Sequence, residues 1–315
     1  MSTVTARMFR YALPLRRSMS TGRGELAERS GYLIRLEDAD GRLGWGEVAP
    51  LPGFSGESDG RVRREVENVA AAAAVWADGD LDAGYLRHVA PSVRFGMEIA
   101  SLWLKASRLD VTLATAMGGS QHDVVRVNAL VSSAGKGASE LASALIAAGY
   151  GAVKLKVGRG PVAADIVRVR ELAGALGAGV QLRLDANRAW ALDDAVTFFD
   201  ALEESDYAYV EEPLRDPLAY DDLDERCQAR IALDETLHMH ASGSPVPMEQ
   251  VTAVVIKPTL LGGLGPSHDW LRIAAAKELS VSVSSALESG VGLYAMASWC
   301  SVHGGSEDYA GLDTQ

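Results

Sequence analysis

Two rhythms of apolar and polar residues divide the chain. Up to about residue 50 the apolar positions alternate, which predicts strands over 7–13, 31–36 and 43–48, with a turn at 38–41. Together they make a small antiparallel meander. The polar, glycine-containing stretch over 16–30 reads as a loop, either one that closes over a site or a plain connector. Beyond residue 55 the period turns helical, over 59–77 and 93–107. Residues 1–108 therefore read as an α+β capping domain.

From Val125 onward, short apolar runs alternate with amphipathic stretches. Strands are predicted over 127–131, 152–157, 181–184, 207–210, 230–233, 253–256, 281–284 and 309–312, with helices over 138–148, 163–176, 192–204, 218–228, 267–278 and 292–301. The segment between Leu233 and Ala253 is proline-marked and too short to be read as a helix. Buried, non-alternating strands joined by helices imply a parallel sheet, and eight of them fit a closed (β/α)8 TIM-type barrel over residues 109–315. An open doubly wound sheet is the competing architecture. The glycine signature that it wants is missing, since Gly262-Gly-Leu-Gly265 is followed by Pro266.

Composition narrows the function. A chain of 315 residues with 48% hydrophobic and 23% charged residues is an ordinary water-soluble protein, with no run near the roughly 18 apolar residues of a membrane span. A net charge of -12 without a basic stripe argues against nucleic acid. Cys227 and Cys300 have no framework spacing, and the first residues lack an apolar core followed by a small-residue cleavage site, so a reducing cytoplasm is expected. The arginines near the start resemble a transit peptide, but the alternation after Arg10 is that of an edge strand. Whether the protein is a monomer or a homo-oligomer stays open.

Six of the 30 basic residues are lysines, and Lys154, Lys156 and Lys257 sit in or directly after apolar runs. Lys154 and Lys156 lie two apart on one strand, so both point to the same face. Buried like charges are costly and demand carboxylates nearby. Polar residues end the successive strands: Lys154 and Lys156, Asp185, the Glu211-Glu212 pair, Asp234 and Glu235, then Lys257. The steps from 156 to 185, 211, 234 and 257 are each about one βα unit, and they place these groups at the C-terminal mouth where barrel enzymes build their sites.

Carboxylates from three adjacent strands repel one another unless a cation lies between them. Oxygen ligands without histidine or cysteine favour Mg²⁺. His238 and His240 read as loop residues. Lys156 and Lys257 face each other across the barrel, an arrangement for removing the proton next to a small-molecule carboxylate. Neighbouring cations are expected to lower the lysine pKa.

These residues resemble the enolase superfamily and, within it, the o-succinylbenzoate synthase family. Lys154-Leu-Lys156 is similar to the family's Lys-x-Lys strand, and Arg183-Leu-Asp-Ala-Asn-Arg-Ala-Trp190, Val210-Glu-Glu-Pro213, Leu233-Asp-Glu-Thr236 and Val254-Val-Ile-Lys-Pro-Thr259 to its next four strand motifs. Ser284-Ser-Ala-Leu-Glu-Ser289 is similar to the seventh-strand loop and Gly44-Trp-Gly-Glu-Val-Ala-Pro-Leu-Pro-Gly-Phe-Ser55 to the capping signature. The resemblance implies dehydration of 2-succinyl-6-hydroxy-2,4-cyclohexadiene-1-carboxylate to 2-succinylbenzoate through an enediolate, in menaquinone biosynthesis. It implies Lys156 as the proton-transfer base, Lys257 as the cation facing the enediolate, and Asp185, Glu211 and Asp234 as Mg²⁺ ligands. Lys154, Arg183 and Asn187 would share the inward face, with Ser284 and Ser285 at the substrate end. Family members continue past Thr314, so the eighth βα unit here is expected to be incomplete.

Two other functions fit the same residues. Two opposed lysines also suit racemisation of N-succinylamino acids, and a barrel that kept its shape but lost turnover would be a binding scaffold.

Overall fold

The computed structural model describes residues 4–21, 24–73, 88–119, 124–131, 137–239, 249–303 and 309–314. The first two strands are far longer than predicted. β1 (Thr5–Thr21) and β2 (Gly24–Glu37) pair antiparallel from end to end, with a register shift between Pro14 and Met19. The expected loop over 16–30 is corrected by these strands, because the described residues of that stretch, 16–21 and 24–30, belong to β1 and β2. Ala27 and Glu28 are exposed there, whereas Arg29 is buried and donates to the Pro50 and Ala49 carbonyls, so a buried position of this strand is polar and no apolar alternation marks it. β3 (Leu43–Val48) completes the sheet on β2.

Two helices cover that sheet. α1 (Asp59–Ala71) starts at Ser58, whose hydroxyl accepts the Arg61 amide; the predicted extension over 74–77 lies outside the described residues. α2 (Pro91–Leu109) has two working faces. Val93, Met97, Ala100 and Leu104 pack with Ile34, Leu36, Val62 and Val66, whereas Phe95 and Ile99 join the large core of the barrel. One helix thus belongs to both layers. Its approach to β3 is backbone-close: a Cβ on Gly46 would stand 1.8 Å from the Gly96 carbonyl oxygen.

After the short α3 (Leu113–Ala116) the parallel sheet begins. β4 (Ala129–Val131), β5 (Ala152–Lys156), β6 (Gln181–Asp185), β7 (Val210–Glu211), β8 (Ile231–Leu233), β9 (Val251–Ile256) and β10 (Ser280–Val283) are hydrogen-bonded in chain order. Helices α4 (Ala138–Ala147), α5 (Val162–Leu176), α6 (Leu192–Asp200), α7 (Tyr220–Arg226), α8 (Glu235–Met239), α9 (Pro258–Leu261), α10 (Leu264–Ala276) and α11 (Gly290–His303) connect or follow them. The segment read as non-helical after Leu233 in fact opens with α8, and 240–248 lie outside the described residues.

The predicted eighth strand is reduced to two bridges, and these join the edges of the sheet. Ala310 bridges Val127 and Gly311 bridges Ser284, both parallel. The Gly311 amide donates to the Val283 carbonyl at 2.7 Å, and the Ala310 amide to Arg126 at 2.8 Å. Inside the ring, the Arg183 guanidinium donates to the Tyr309 carbonyl at 2.7 Å and to Ser282 Oγ at 3.3 Å, and it lies over the rings of Tyr209 and Tyr309. A side chain from β6 therefore reaches the eighth stave through the barrel interior.

Candidate active site

Strand register assembles the site. Lys156 pairs with Asp185 across β5–β6, and Asp185 pairs with Glu211 across β6–β7. Asp234 directly follows β8 and Lys257 directly follows β9. Each strand therefore stops at a charged group on one rim. The short β7 is enough, because two residues deliver both the register and Glu211.

The carboxylates are interleaved with the lysines. Asp185 Oδ2 lies 2.6 Å from Lys156 Nζ and 3.1 Å from Lys154 Nζ, while Lys154 Nζ is 2.5 Å from Glu211 Oε2. Lys257 Nζ donates to Asp234 Oδ2. Asn187 Oδ1 accepts from Lys156 at 2.7 Å and the Asn187 amide donates to Asp185 Oδ1 at 3.0 Å. Asp185, Glu211 and Asp234 are at most 1% exposed. Burial alone would raise Asp185, but the charges of Lys154 and Lys156 outweigh it and hold the carboxyl below the usual range. Lys257 does the same for Asp234. Glu211 goes the other way, pushed well up by burial and by the charge of Asp185.

Burial acts to lower Lys154 and Lys257, yet the facing carboxylates outweigh it and both stand above the ordinary lysine value. The protein's own charges favour the ammonium form of these two lysines.

Above this cluster is a cavity of about 650 Å³. Lys154, Lys156, Asp185, Asn187, Lys257, Ser284 and Ser285 line it; Glu211 and Asp234 lie beneath, paired to Lys154 and Lys257. Ser284 Oγ donates to the Gly311 carbonyl at 3.2 Å, and Ser285 Oγ meets Thr314 Oγ1 at 3.0 Å. Arg183 is not brought to the cavity, since its guanidinium is spent on the barrel interior two residues before Asp185 on β6. The cap contributes Leu51 and Phe54. Arg159, Arg188 and Arg215, which sequence reasoning missed, line the same space. Their signal was position: each follows a strand-end motif by a few residues, in the βα loops. Glu235, next to Asp234, is pushed up to about 7 by burial and by the charge of Asp234.

The donor set fits a hard divalent cation. Glu211 Oε1 and Asp234 Oδ1 are buried acceptors with no hydrogen-bond partner, next to Asp185. Buried, unsatisfied carboxylate oxygens on adjacent strands match the ligand chemistry of Mg²⁺. Among the described residues, no three His, Cys, Asp or Glu side chains are already gathered around one point, because lysine ammoniums stand between them. His238 Nε2 is 3.7 Å from Asp234 Oδ1, and His240 lies outside the described residues.

Comparison with known proteins gives the family. The family described as "Enolase C-terminal domain-like" matches residues 137–312, and "MenC, N-terminal domain" matches residues 3–104. The chain belongs to the enolase superfamily, among its MenC-type members. The o-succinylbenzoate synthase of Pectobacterium atrosepticum is 31% identical over 317 residues, 98% of this chain and 89% of that protein. The chloroplastic protein PHYLLO of Arabidopsis thaliana is 30% identical over 85% of this chain, which spans only 17% of PHYLLO. Among solved structures, the L-Ala-D/L-Glu epimerase from Bacillus subtilis has a TM-score of 0.80 at 22% identity, covering 99% of this chain and 90% of that one. The Mg-complexed o-succinylbenzoate synthase from Thermosynechococcus elongatus has a TM-score of 0.73 at 24% identity, covering 98% and 93%. At these identities the two structures establish for this enolase-superfamily chain the fold alone.

Proposed function

We propose that the protein is an o-succinylbenzoate synthase, converting 2-succinyl-6-hydroxy-2,4-cyclohexadiene-1-carboxylate to 2-succinylbenzoate in menaquinone biosynthesis. One observation carries the chemistry: Lys156 and Lys257 stand at opposite ends of a row of buried carboxylates, one against Asp185 and the other against Asp234. The Pectobacterium relative supports the choice of reaction. Residues 1–108 serve as the cap and 109–315 as the catalytic barrel. A cytoplasmic location belongs to the same proposal; among the described residues no helix is long and apolar enough to cross a membrane.

Asp185, Glu211 and Asp234 would hold Mg²⁺, which when bound stabilises negative charge developing on the substrate carboxylate. Lys156 Nζ, oriented by Asn187, acts as the base and takes the proton from the carbon bearing that carboxylate. The C–H electron pair becomes a ring double bond, the C–O pair leaves with the hydroxyl oxygen, and Lys156 returns its proton so that water departs. The Lys257 ammonium faces the developing charge from the other side. Leu51, Phe54, Leu130 and Leu287 offer apolar wall to the ring, and Ser284 and Ser285 offer hydrogen bonds to the succinyl chain.

The opposed lysines also favour racemisation of N-succinylamino acids as a second reading, because a 1,1-proton transfer uses a base on each face. Assaying the purified protein with both substrates and Mg²⁺ decides between them. A higher kcat/KM for racemisation than for dehydration would reverse the assignment.

A further inference from the structure

Beside Glu211 stands a second carboxylate that faces other partners. Glu212 is 0% exposed, has a φ of +44°, and every acceptor position on it is taken. Its Oε1 accepts the backbone amides of Asp234 at 2.9 Å and Thr236 at 2.6 Å. Its Oε2 accepts from Thr236 Oγ1 at 2.8 Å, Arg188 Nε at 2.9 Å and the Tyr220 hydroxyl at 3.3 Å. Main-chain bonds tie the same corner, since the Arg188 amide donates to the Glu212 carbonyl at 2.7 Å.

These bonds hold backbone that would not stay put by itself. Asn187 and Arg188 have φ of +44° and +60°, so two consecutive non-glycine residues occupy the left-handed region, with Glu212 a third. Such conformations persist only where surrounding contacts over-determine them. Asn187 is the residue whose side chain meets Lys156, at 2.7 Å. Asp234 is the residue whose amide rests on Glu212. A single buried side chain therefore braces the end of β8 and the turn after β6 together.

We infer that Glu212 is the positioning residue of this site: its Oε1 fixes Asp234 and its Oε2, through Arg188, fixes the turn that presents Asn187 to Lys156. The inference rests on Asp234 being a metal ligand and Lys156 the base. It separates the neighbouring glutamates by role, with Glu211 keeping an unpartnered oxygen and Glu212 keeping none.

Mn²⁺ binding, measured by titration calorimetry on the full chain, tests it together with steady-state kinetics. In Glu212→Ala the brace is gone, and Mn²⁺ affinity is expected to fall by about tenfold or more, the range for partners that orient a ligand. Glu212→Gln keeps the shape and one oxygen for the Asp234 and Thr236 amides, but turns an NH₂ toward Arg188 Nε, where two donors oppose. That variant is expected to bind Mn²⁺ more tightly than Glu212→Ala and to lose kcat while KM stays near wild type. If the wild-type protein binds no Mn²⁺, the metal reading fails and the brace falls with it. If wild type binds and both variants bind equally well with wild-type kcat, only their melting temperatures being lowered, Glu212 is structural and the inference is overturned. Should Glu212→Ala not fold, a wild-type kcat in Glu212→Gln overturns it alone.

Discussion

Lys156 Nζ lies 2.6 Å from Asp185 Oδ2, across the register pair that joins β5 to β6. The same oxygen is 3.1 Å from Lys154 Nζ, so one buried carboxylate compensates two ammoniums. Asp185→Asn removes that compensation and leaves cations facing an amide. Breaking a buried pair from one side costs about 3–5 kcal/mol. Urea denaturation in EDTA is expected to show a loss of that size; wild-type stability would mean the three groups are not coupled as described.

Glu211→Gln is expected to behave in the opposite way. Burial and the charge of Asp185 already push the Glu211 carboxyl up, so its ionised form is held at a cost, and Lys154 retains Asp185 when Glu211 is neutralised. In EDTA the variant should be at least as stable as wild type. Adding Mg²⁺ should stabilise wild type, by about 2.7 kcal/mol at a hundred times Kd, and leave the variant unmoved. A metal-free loss above about 1 kcal/mol, a typical single-mutation cost, would contradict the electrostatics.

The cap is clasped to the barrel by Glu47 on β3. Its carboxylate accepts the Ser289 amide at 2.7 Å, Ser289 Oγ at 2.6 Å and the Gly292 amide at 2.8 Å, capping the N-terminus of α11, and it also accepts the Tyr11 hydroxyl at 2.5 Å. Glu47→Ala strands several buried donors, and about 2–4 kcal/mol of stability should go with it. Because Leu51 and Phe54 follow Glu47 into the cavity wall, KM should rise more than kcat falls. Thermal melts and steady-state kinetics read both, and an unchanged KM would detach the clasp from the site.

The site was legible in the sequence where strand period and barrel repeat act together. Lys156, Asp185, Glu211, Asp234 and Lys257 each end a strand, and one repeat of about 23–29 residues carries the chain from each to the next. Alternation gave Arg183 its face but not its depth: it pairs with Lys154, one layer below the Lys156–Asp185 pair, and is consumed by the barrel interior. The clasp was invisible because Glu47 and Ser289 are 242 residues apart, as are Arg29 and Ala286 at 257. The extended β2 carries no apolar period where its buried position is Arg29, whose guanidinium is satisfied by the Pro50, Ala49 and Ala286 carbonyls. The Val210-Glu-Glu-Pro213 motif gives Glu211 its role but says nothing of what Glu212 does; only the five donors around it do.

Acid should loosen the packing of α10 against α11. His268 and His303 stack edge to face at 4.4 Å, and Trp299 Nε1 donates to His268 Nε2 at 3.4 Å. Burial lowers His268, with Asp269 opposing and Arg272 assisting, and burial and then His268 lower His303. A base with a depressed folded pKa lends stability that is full above its unfolded value, 6.5, and is lost as the pH falls below it, because the unfolded chain binds the proton more readily. Denaturation midpoints should therefore drop below about pH 6.5, the ordinary histidine value, and drop less steeply in His303→Phe, which keeps the ring contact and removes one titration. An equal slope in both proteins would assign the acid sensitivity elsewhere.

The central claim is that Lys156 moves the proton, and Lys156→Ala tests it most directly. A general base contributes about 10²–10⁴ in rate. Conversion of 2-succinyl-6-hydroxy-2,4-cyclohexadiene-1-carboxylate to 2-succinylbenzoate, followed with Mg²⁺ present, is expected to slow by at least that lower factor while calorimetry shows the metal still bound. Dehydration at the wild-type rate in Lys156→Ala would contradict it.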